Sequence, residues 1–271
     1  IASAAQETKE AINHLFPGQL GEGPEEDDPT QNAFDERIWQ AVPSKENGYI
    51  QGVNTKALLS LAREKDTIVR MDYGIGDFVV RDTTLASLAL DGPPDQKTIA
   101  AIQETFFIDN YRTIKQDAAF GIRQIVDIAL KALSPGVVET TTAVICLDNL
   151  TLIMAWLISR QIPSLYRYEA GELRVIAKVP GFKSLLGESF DQIRNHANGD
   201  FTIMLRLIGS LQTLASLEVR QHHLSAISEQ VEAIGELAER TIGSDRERAV
   251  IKAHLTLLWE TLHSKSAVGQ G

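Results

Sequence analysis

The chain has 271 residues, 44% of them hydrophobic and 23% charged, which is ordinary globular usage and enough for a sizeable core. Its formal charge of −10 argues against a general nucleic-acid surface, so no nucleic-acid partner is expected. A single cysteine, Cys146, excludes an internal disulfide framework and a cysteine-based zinc knuckle; in an apolar run it reads as a small buried thiol.

Residues 1–16 read as a helix stopped by Phe16-Pro17-Gly18. Its large apolar residues, Ile12, Leu15 and Phe16, with Ala5, make a thin face. The helix is therefore expected to be poorly anchored alone, or held by a neighbouring copy. The block "GEGPEEDDPTQ" (Gly21 to Gln31) is self-repelling and buries nothing, so it reads as a solvated linker. "RIWQAVPSKENGYIQGV" is extended, with Pro43 and Asn47-Gly48 as turn signals. "NTKALLSLAREK" is a short helix capped by Asn54 or Thr55, with Leu58, Leu59 and Ala62 inward. Asp66 to Leu90 returns to β-branched alternation, broken by the turn "GIGD".

From "PPDQKTIAAIQETF" onward the pattern is helical, with helices over 113–133 and 140–161. Ser134-Pro135-Gly136 stops the first and Pro163 follows the second. Ser164 to Val179 is a hairpin turning at Ala170-Gly171. Helices at 181–197, 200–242 (broken around Glu218–Arg220) and 245–263 complete the chain, the last opened by a Ser244/Glu247 capping box. The fold class is α+β: a small β-rich, barrel-sandwich-like module, then a mainly helical domain carrying one hairpin. The expected division is a membrane-proximal helix and linker over 1–35, the β-rich module over 36–92 and the helical domain over 93–271.

No stretch is read as spanning a bilayer, which takes ~20 mostly apolar residues. The best candidate, Thr151 to Ile158, is short and has Asp148, Asn149 and Arg160 at its margins. Nor does the start carry an initiator Met or a signal-peptide pattern, so the chain reads as cut from something longer.

The chemistry-bearing motifs are few. The histidines His14, His196, His222, His223, His254 and His263 form neither H-x-x-x-H nor H-E-x-x-H. His222 and His223 point ~100° apart on a helix, so no metal site is assigned. Phosphate-binding glycine loops are absent, and "GESFD" lacks the second glycine of a nucleophile elbow. "GIGDFVVRDTTLASL" resembles the turn-and-strand hairpin of lipoyl and biotinyl carrier domains. Asp82 stands at the second glycine, and there is no carrier-lysine turn. A structural β-module follows, with no cofactor.

"QDAAFGIRQIVDIALKALSPG" (Gln116 to Gly136) is the most patterned segment. Gln116, Arg123, Asp127 and Ser134 share one helical stripe, and Arg123–Asp127 and Asp127–Lys131 are i,i+4 pairs. With Arg112, Asp117 and Glu139 they form the candidate polar set, read either as a solvated face or as an interior network. Arg123 and Asp127 are expected to be at least partly buried and bonded to each other, or to Arg112 or Gln116. Catalysis would need Asp117, Asp127 and Glu139 to converge. No catalytic residue is assigned, and the chain is expected not to be an enzyme.

The same segment, continued as "SPGVVETTTAVICLDNL", resembles a family of bacterial predicted membrane proteins known only as a domain of unknown function (number 2254). The likeness covers nearly the whole chain, with "GYIQGVNTKALLSLAREKDTIVRMDYGIGDFVVRDTTL" similar to the family's β-region. It implies transmembrane helices N-terminal to this region, which would be this domain's partner, with "IASAAQETKEAI" leaving the last of them. Where the family commonly reads Ser-Pro-Gly-Ile-Asn-Asp-Pro, this chain has Val137, Val138 and Glu139, so one carboxylate stands in for an Asn-Asp pair. The reading that follows is a non-catalytic soluble domain of an inner-membrane protein, facing the cytoplasm and forming a homo-oligomer, for assembly, sensing or regulation. The alternative is a ligand-binding or gating domain of a transporter or channel, in which Arg112, Arg123 and Asp127 meet a small anion or polar solute.

Overall fold

The computed structural model describes residues 1–15, 37–137, 139–160, 164–197 and 199–268. The Phe16-Pro17-Gly18 stop, the acidic linker, Val138, Pro163 and the side chains of His14 and Leu15 lie outside that description. In chain order the described elements begin α1 (Ala2–Leu15), β1 (Trp39–Pro43), β2 (Gly48–Val53), α2 (Thr55–Glu64), β3 (Val69–Met71) and β4 (Phe78–Val79). They continue β5 (Thr84–Ala89), α3 (Gln96–Gln103), β6 (Phe106–Asp109), α4 (Ala118–Ala132), α5 (Thr140–Ile158), β7 (Tyr166–Glu169) and β8 (Glu172–Ile176). Helices α6 (Phe182–Ala197), α7 (Phe201–Ser216), α8 (Gln221–Thr241) and α9 (Asp245–Val268) close the chain. The class is α+β, and neither sheet closes into a barrel.

The chain divides into two compact units: a β-rich one of residues 11–117 and 163–179, and a helical one of residues 1–10, 118–162 and 180–271. This corrects the expected boundary at 92/93. The β-rich unit extends through α3 and β6 to Asp117 and takes in the β7–β8 hairpin. Its five-stranded sheet has the order β1-β5-β3-β8-β7, and its three-stranded sheet the order β4-β2-β6. The hairpin joins through a parallel ladder, Val69 opposite Val175 and Arg70 opposite Ile176. Strand β6 is a second correction, since Phe106–Asp109 lies in a stretch that reads as helical. It pairs antiparallel with β2, and its buried Phe106 supplies the apolar anchor.

The larger core cluster of this unit draws Val42, Ile50, Leu58, Met71, Leu85, Ile102 and Phe106 from both sheets and from α2 and α3. Local chemistry places the connections. Asn54 Oδ1 accepts from the Ala57 N–H at 3.1 Å to cap α2, and Asp95 caps α3 through the Thr98 N–H at 2.6 Å. Asp82, standing where the resembled hairpin carries glycine, adopts φ +67°, a left-handed conformation that aspartate tolerates better than most residues.

In the helical unit α5 packs on α4, α6 and α7, while α7 also packs on α8 and α9. Leu147, Leu150, Ile153, Met154 and Leu157 of α5 are fully buried, as is Cys146. The 19 residues of α5 are long and apolar enough to cross a membrane by length and composition, which corrects the reading that no stretch is. The apolar run continues upstream of Asp148 to Thr140. Half of it is buried inside the unit, and Asp148 is held by Arg206 of α7, so α5 serves here as the central core helix.

Helix α1 also departs from expectation, because Ala5, Thr8, Ala11 and Ile12 are buried. Thr8 packs so closely on Gly121 of α4 that a Cβ there would collide with its Oγ1. Small residues and one large one, Ile12, not a broad apolar face, are what this helix buries.

Candidate functional site

The predicted polar set is divided between the two units. Arg112, Gln116 and Asp117 belong to the β-rich unit and precede α4, which begins at Ala118 rather than near 113. Arg112 donates to Asp117 Oδ2 from Nε at 2.8 Å, and its Nη2 lies 2.8 Å from the same oxygen. The Asp117 side chain is only 3% exposed. Gly76, at φ +90°, makes room for the pair, since a Cβ there would stand 2.6 Å from Asp117 Oδ2 and 2.7 Å from Arg112 Nη2. Gln116 Oε1 accepts from the Val53 N–H at 3.4 Å and lies over Gly52, where a Cβ would be 2.8 Å away. Gln51 Nε2 donates to the Tyr111 carbonyl at 2.6 Å. Residues 111–117 are thus fastened to β2 and to the "GIGD" turn. The arrangement is a latch in which the carboxylate and guanidinium neutralise each other.

The remaining members lie in the helical unit. Arg123 and Asp127 form the i,i+4 pair at 2.7 Å, but their side chains are 37% and 54% exposed. The expectation of partial burial fails for Asp127, because the buried stripe of α4 runs through Ile122, Ile125, Val126 and Ala129 and leaves Asp127 on the wet side. Ser134 follows the helix, and its Oγ donates to the Lys131 carbonyl at 2.7 Å. Glu139 is exposed at the start of α5 and accepts from Thr142 Oγ1 at 3.1 Å. Asp127 and Glu139 therefore face solvent, while Asp117 is buried in the other unit. No three histidine, cysteine or carboxylate side chains among the described residues are grouped to hold a metal ion.

A cleft in the helical unit involves none of these residues. It has a volume of about 1120 Å³ and is lined by Lys9 of α1, the C-terminal end of α5 from Leu152 to Arg160, the α7–α8 connection from Leu217 to Arg220, and Ser264 and Lys265 of α9. Four cations (Lys9, Arg160, Arg220 and Lys265) face one carboxylate, Glu218, in a chain whose formal charge is −10. Lys265 Nζ donates to the Ser216 and Leu217 carbonyls and so closes the C-terminal end of α7. The Arg160 guanidinium lies 4.4 Å from the centre of the Trp156 ring, a cation–π stack that holds its orientation. Lys9, Arg160 and Arg220 make no ion pair among the described residues. The buried Trp156 Nε1 has no acceptor among them. This site was missed because its cations come from four separate segments. The only local hint was the Trp156–Arg160 spacing on a helix end.

A family model described as "Predicted membrane protein (DUF2254)" matches residues 1–213. The chain belongs to that family. It is also similar to the uncharacterized proteins Mb1321c of Mycobacterium bovis and Rv1290c of Mycobacterium tuberculosis. Each is 28% identical over 218 residues, which cover 78% of this chain and 42% of the relative. The chain thus spans less than half the length of the curated relatives it matches. No solved structure gives a significant match. The family match covers the latch and both ends of α5 but stops before the α7–α8 connection, so Leu217 to Arg220, Ser264 and Lys265 of the cleft lie beyond it.

Proposed function

We propose that this chain is a non-catalytic, ligand-sensing regulatory domain of a bacterial inner-membrane protein, with its units on the cytoplasmic side and the cleft as its sensing site. The observation that carries the reading is the concentration of cations around one concavity of an acidic chain. A site built for anions needs unpaired positive charge in a recess with low-dielectric walls, and Lys9, Arg160 and Arg220 supply it. Membrane attachment is supported by the family's description and by relatives more than twice as long as the matched region. The absence of turnover is supported by the settings of the carboxylates: Asp117 is neutralised by Arg112, and Asp127 and Glu139 are in water. Assembly as a homo-oligomer would let the membrane region concentrate copies and amplify a ligand-dependent change.

The gating alternative keeps the same cleft and changes only the output. In that version Arg112, Arg123 and Asp127 are not the contacts, because Arg112 is held by Asp117 and Arg123 by Asp127.

Thermal-shift titration of the chain with inorganic phosphate, sulfate and small carboxylates tests the reading. A ligand at 100 times its Kd stabilises by about 2.7 kcal/mol. The shift should shrink in Arg160→Gln and in Arg220→Gln. Stabilisation by none of these anions, or stabilisation of both variants as large as that of the wild type, contradicts a sensing cleft.

A further inference from the structure

We propose that the occupant of the cleft is an amphiphilic anion, with a phosphate or carboxylate head and an apolar tail. This rests on the cleft being an anion site, and it adds the second half of the ligand. The head is assigned by charge and geometry. The Arg160 guanidinium sits over the Trp156 ring, 4.4 Å from its centre, and a guanidinium offers the two-point recognition that suits phosphate and carboxylate. Arg220 stands at the start of α8, a 21-residue helix with no side-chain cap there, so the helix terminus adds partial positive charge beside it. Lys9 of α1 lines the same cleft and adds a further positive charge.

The tail is assigned by what lies beside the cations. Leu152, Ala155, Ile158 and Val219 line the same cleft, and Leu152 is 55% exposed. Ile145, seven residues earlier on α5 and 45% exposed, lies on the same side of the helix. An apolar track therefore leads out of the cleft along α5. A bare inorganic ion would leave this track wet and would occupy a small part of 1120 Å³, a volume at the upper end of small-molecule sites. An alkyl chain on the track with its head against Arg160 uses both.

Trp156 serves as the reporter. In a Trp39→Phe/Trp259→Phe background it is the one tryptophan left, because the chain has 3. Fluorescence titrations of the chain with inorganic phosphate and with monomeric decyl phosphate separate head from tail. Burial of a few methylenes makes decyl phosphate at least about tenfold tighter than inorganic phosphate. Arg160→Gln should weaken both, whereas Leu152→Gln should remove most of the tenfold preference and spare inorganic phosphate. Lys131→Gln, on exposed α4 surface, should change neither. Co-sedimentation with vesicles of equimolar phosphatidylcholine and phosphatidylglycerol identifies the source. Arg160-dependent binding to these, and not to phosphatidylcholine alone, makes the anion a lipid headgroup; binding of monomer only makes it a free amphiphile.

Equal affinity for the two phosphates overturns the amphiphile and leaves the anion site standing. So does a decyl phosphate preference that Leu152→Gln leaves unchanged. Decyl phosphate binding that survives Arg160→Gln overturns the assignment as detergent-like adsorption. A silent reporter with both ligands overturns this inference and the sensing reading together.

Discussion

Asp117 is 3% exposed and held by Arg112 at 2.8 Å, whereas Asp127, also paired with an arginine, is 54% exposed. Removing one partner of a buried pair strands a charge away from water and typically costs ~3–5 kcal/mol, while an exposed i,i+4 pair contributes ~0.3–0.5. Asp117→Ala should therefore lower unfolding stability by about 3 kcal/mol and Asp127→Ala by less than about 0.5 kcal/mol, as read by chemical denaturation. His223 supplies a second residue-scale test. It is 2% exposed, with its ring 4.3 Å from that of Phe182 and 4.1 Å from that of His222, and neither ring nitrogen has a partner among the described residues. Burial, with help from His222 and Arg220, pulls its pKa down to about 4 from the ordinary 6.5. The folded state thus keeps His223 neutral where the unfolded chain takes up a proton. Its contribution is complete above pH 6.5 and is lost as pH falls towards 4, by about 3 kcal/mol at most. Denaturation of wild type and His223→Phe at pH 7.5 and 4.5 should show the variant losing less stability on acidification; an equal loss would mean that His223 is not the group titrating.

At the scale of elements, the contact between α1 and α4 rests on one missing side chain. Thr8 is wholly buried, its Oγ1 donates to the Ala4 carbonyl, and it occupies the space a Gly121 side chain would fill. Gly121→Val should cost about 1–3 kcal/mol by overpacking. It should also remove hydrogen-exchange protection from residues 1–10 first. Unchanged protection there would mean that Thr8 and Gly121 do not seat the helix. This docking was not legible, because periodicity counts large apolar residues and α1 buries only one of them, Ile12, beside alanines and a threonine. The stop and start chemistry read well by contrast: Asn54 caps α2, Ala170 and Gly171 take φ +52° and +78° in the β7–β8 turn, and Leu217–Arg220 interrupts α7 and α8. The start of α4 was misread because Gln116 and Asp117 continue its pattern, yet their side chains are spent on Val53 and Arg112.

Over the whole molecule, the α+β class was legible in the order of patterns, whereas the membership of the two units was not. The β-rich unit is completed by a hairpin more than forty-five residues downstream of Asp117, through Val69 opposite Val175, a pairing that no local pattern encodes. The predicted site was divided for the same reason, since a continuous stripe in sequence crosses from the latch into α4. The cleft draws on α1, α5, the α7–α8 connection and α9, so only folding gathers its charge. Hydrogen exchange of the chain with and without decyl phosphate tests the central claim most directly. Binding should slow exchange at residues 152–160 and 217–220 in wild type and leave Arg160→Gln unchanged. Slowed exchange at residues 111–117 or along α4 instead, with the cleft unaffected, would contradict it.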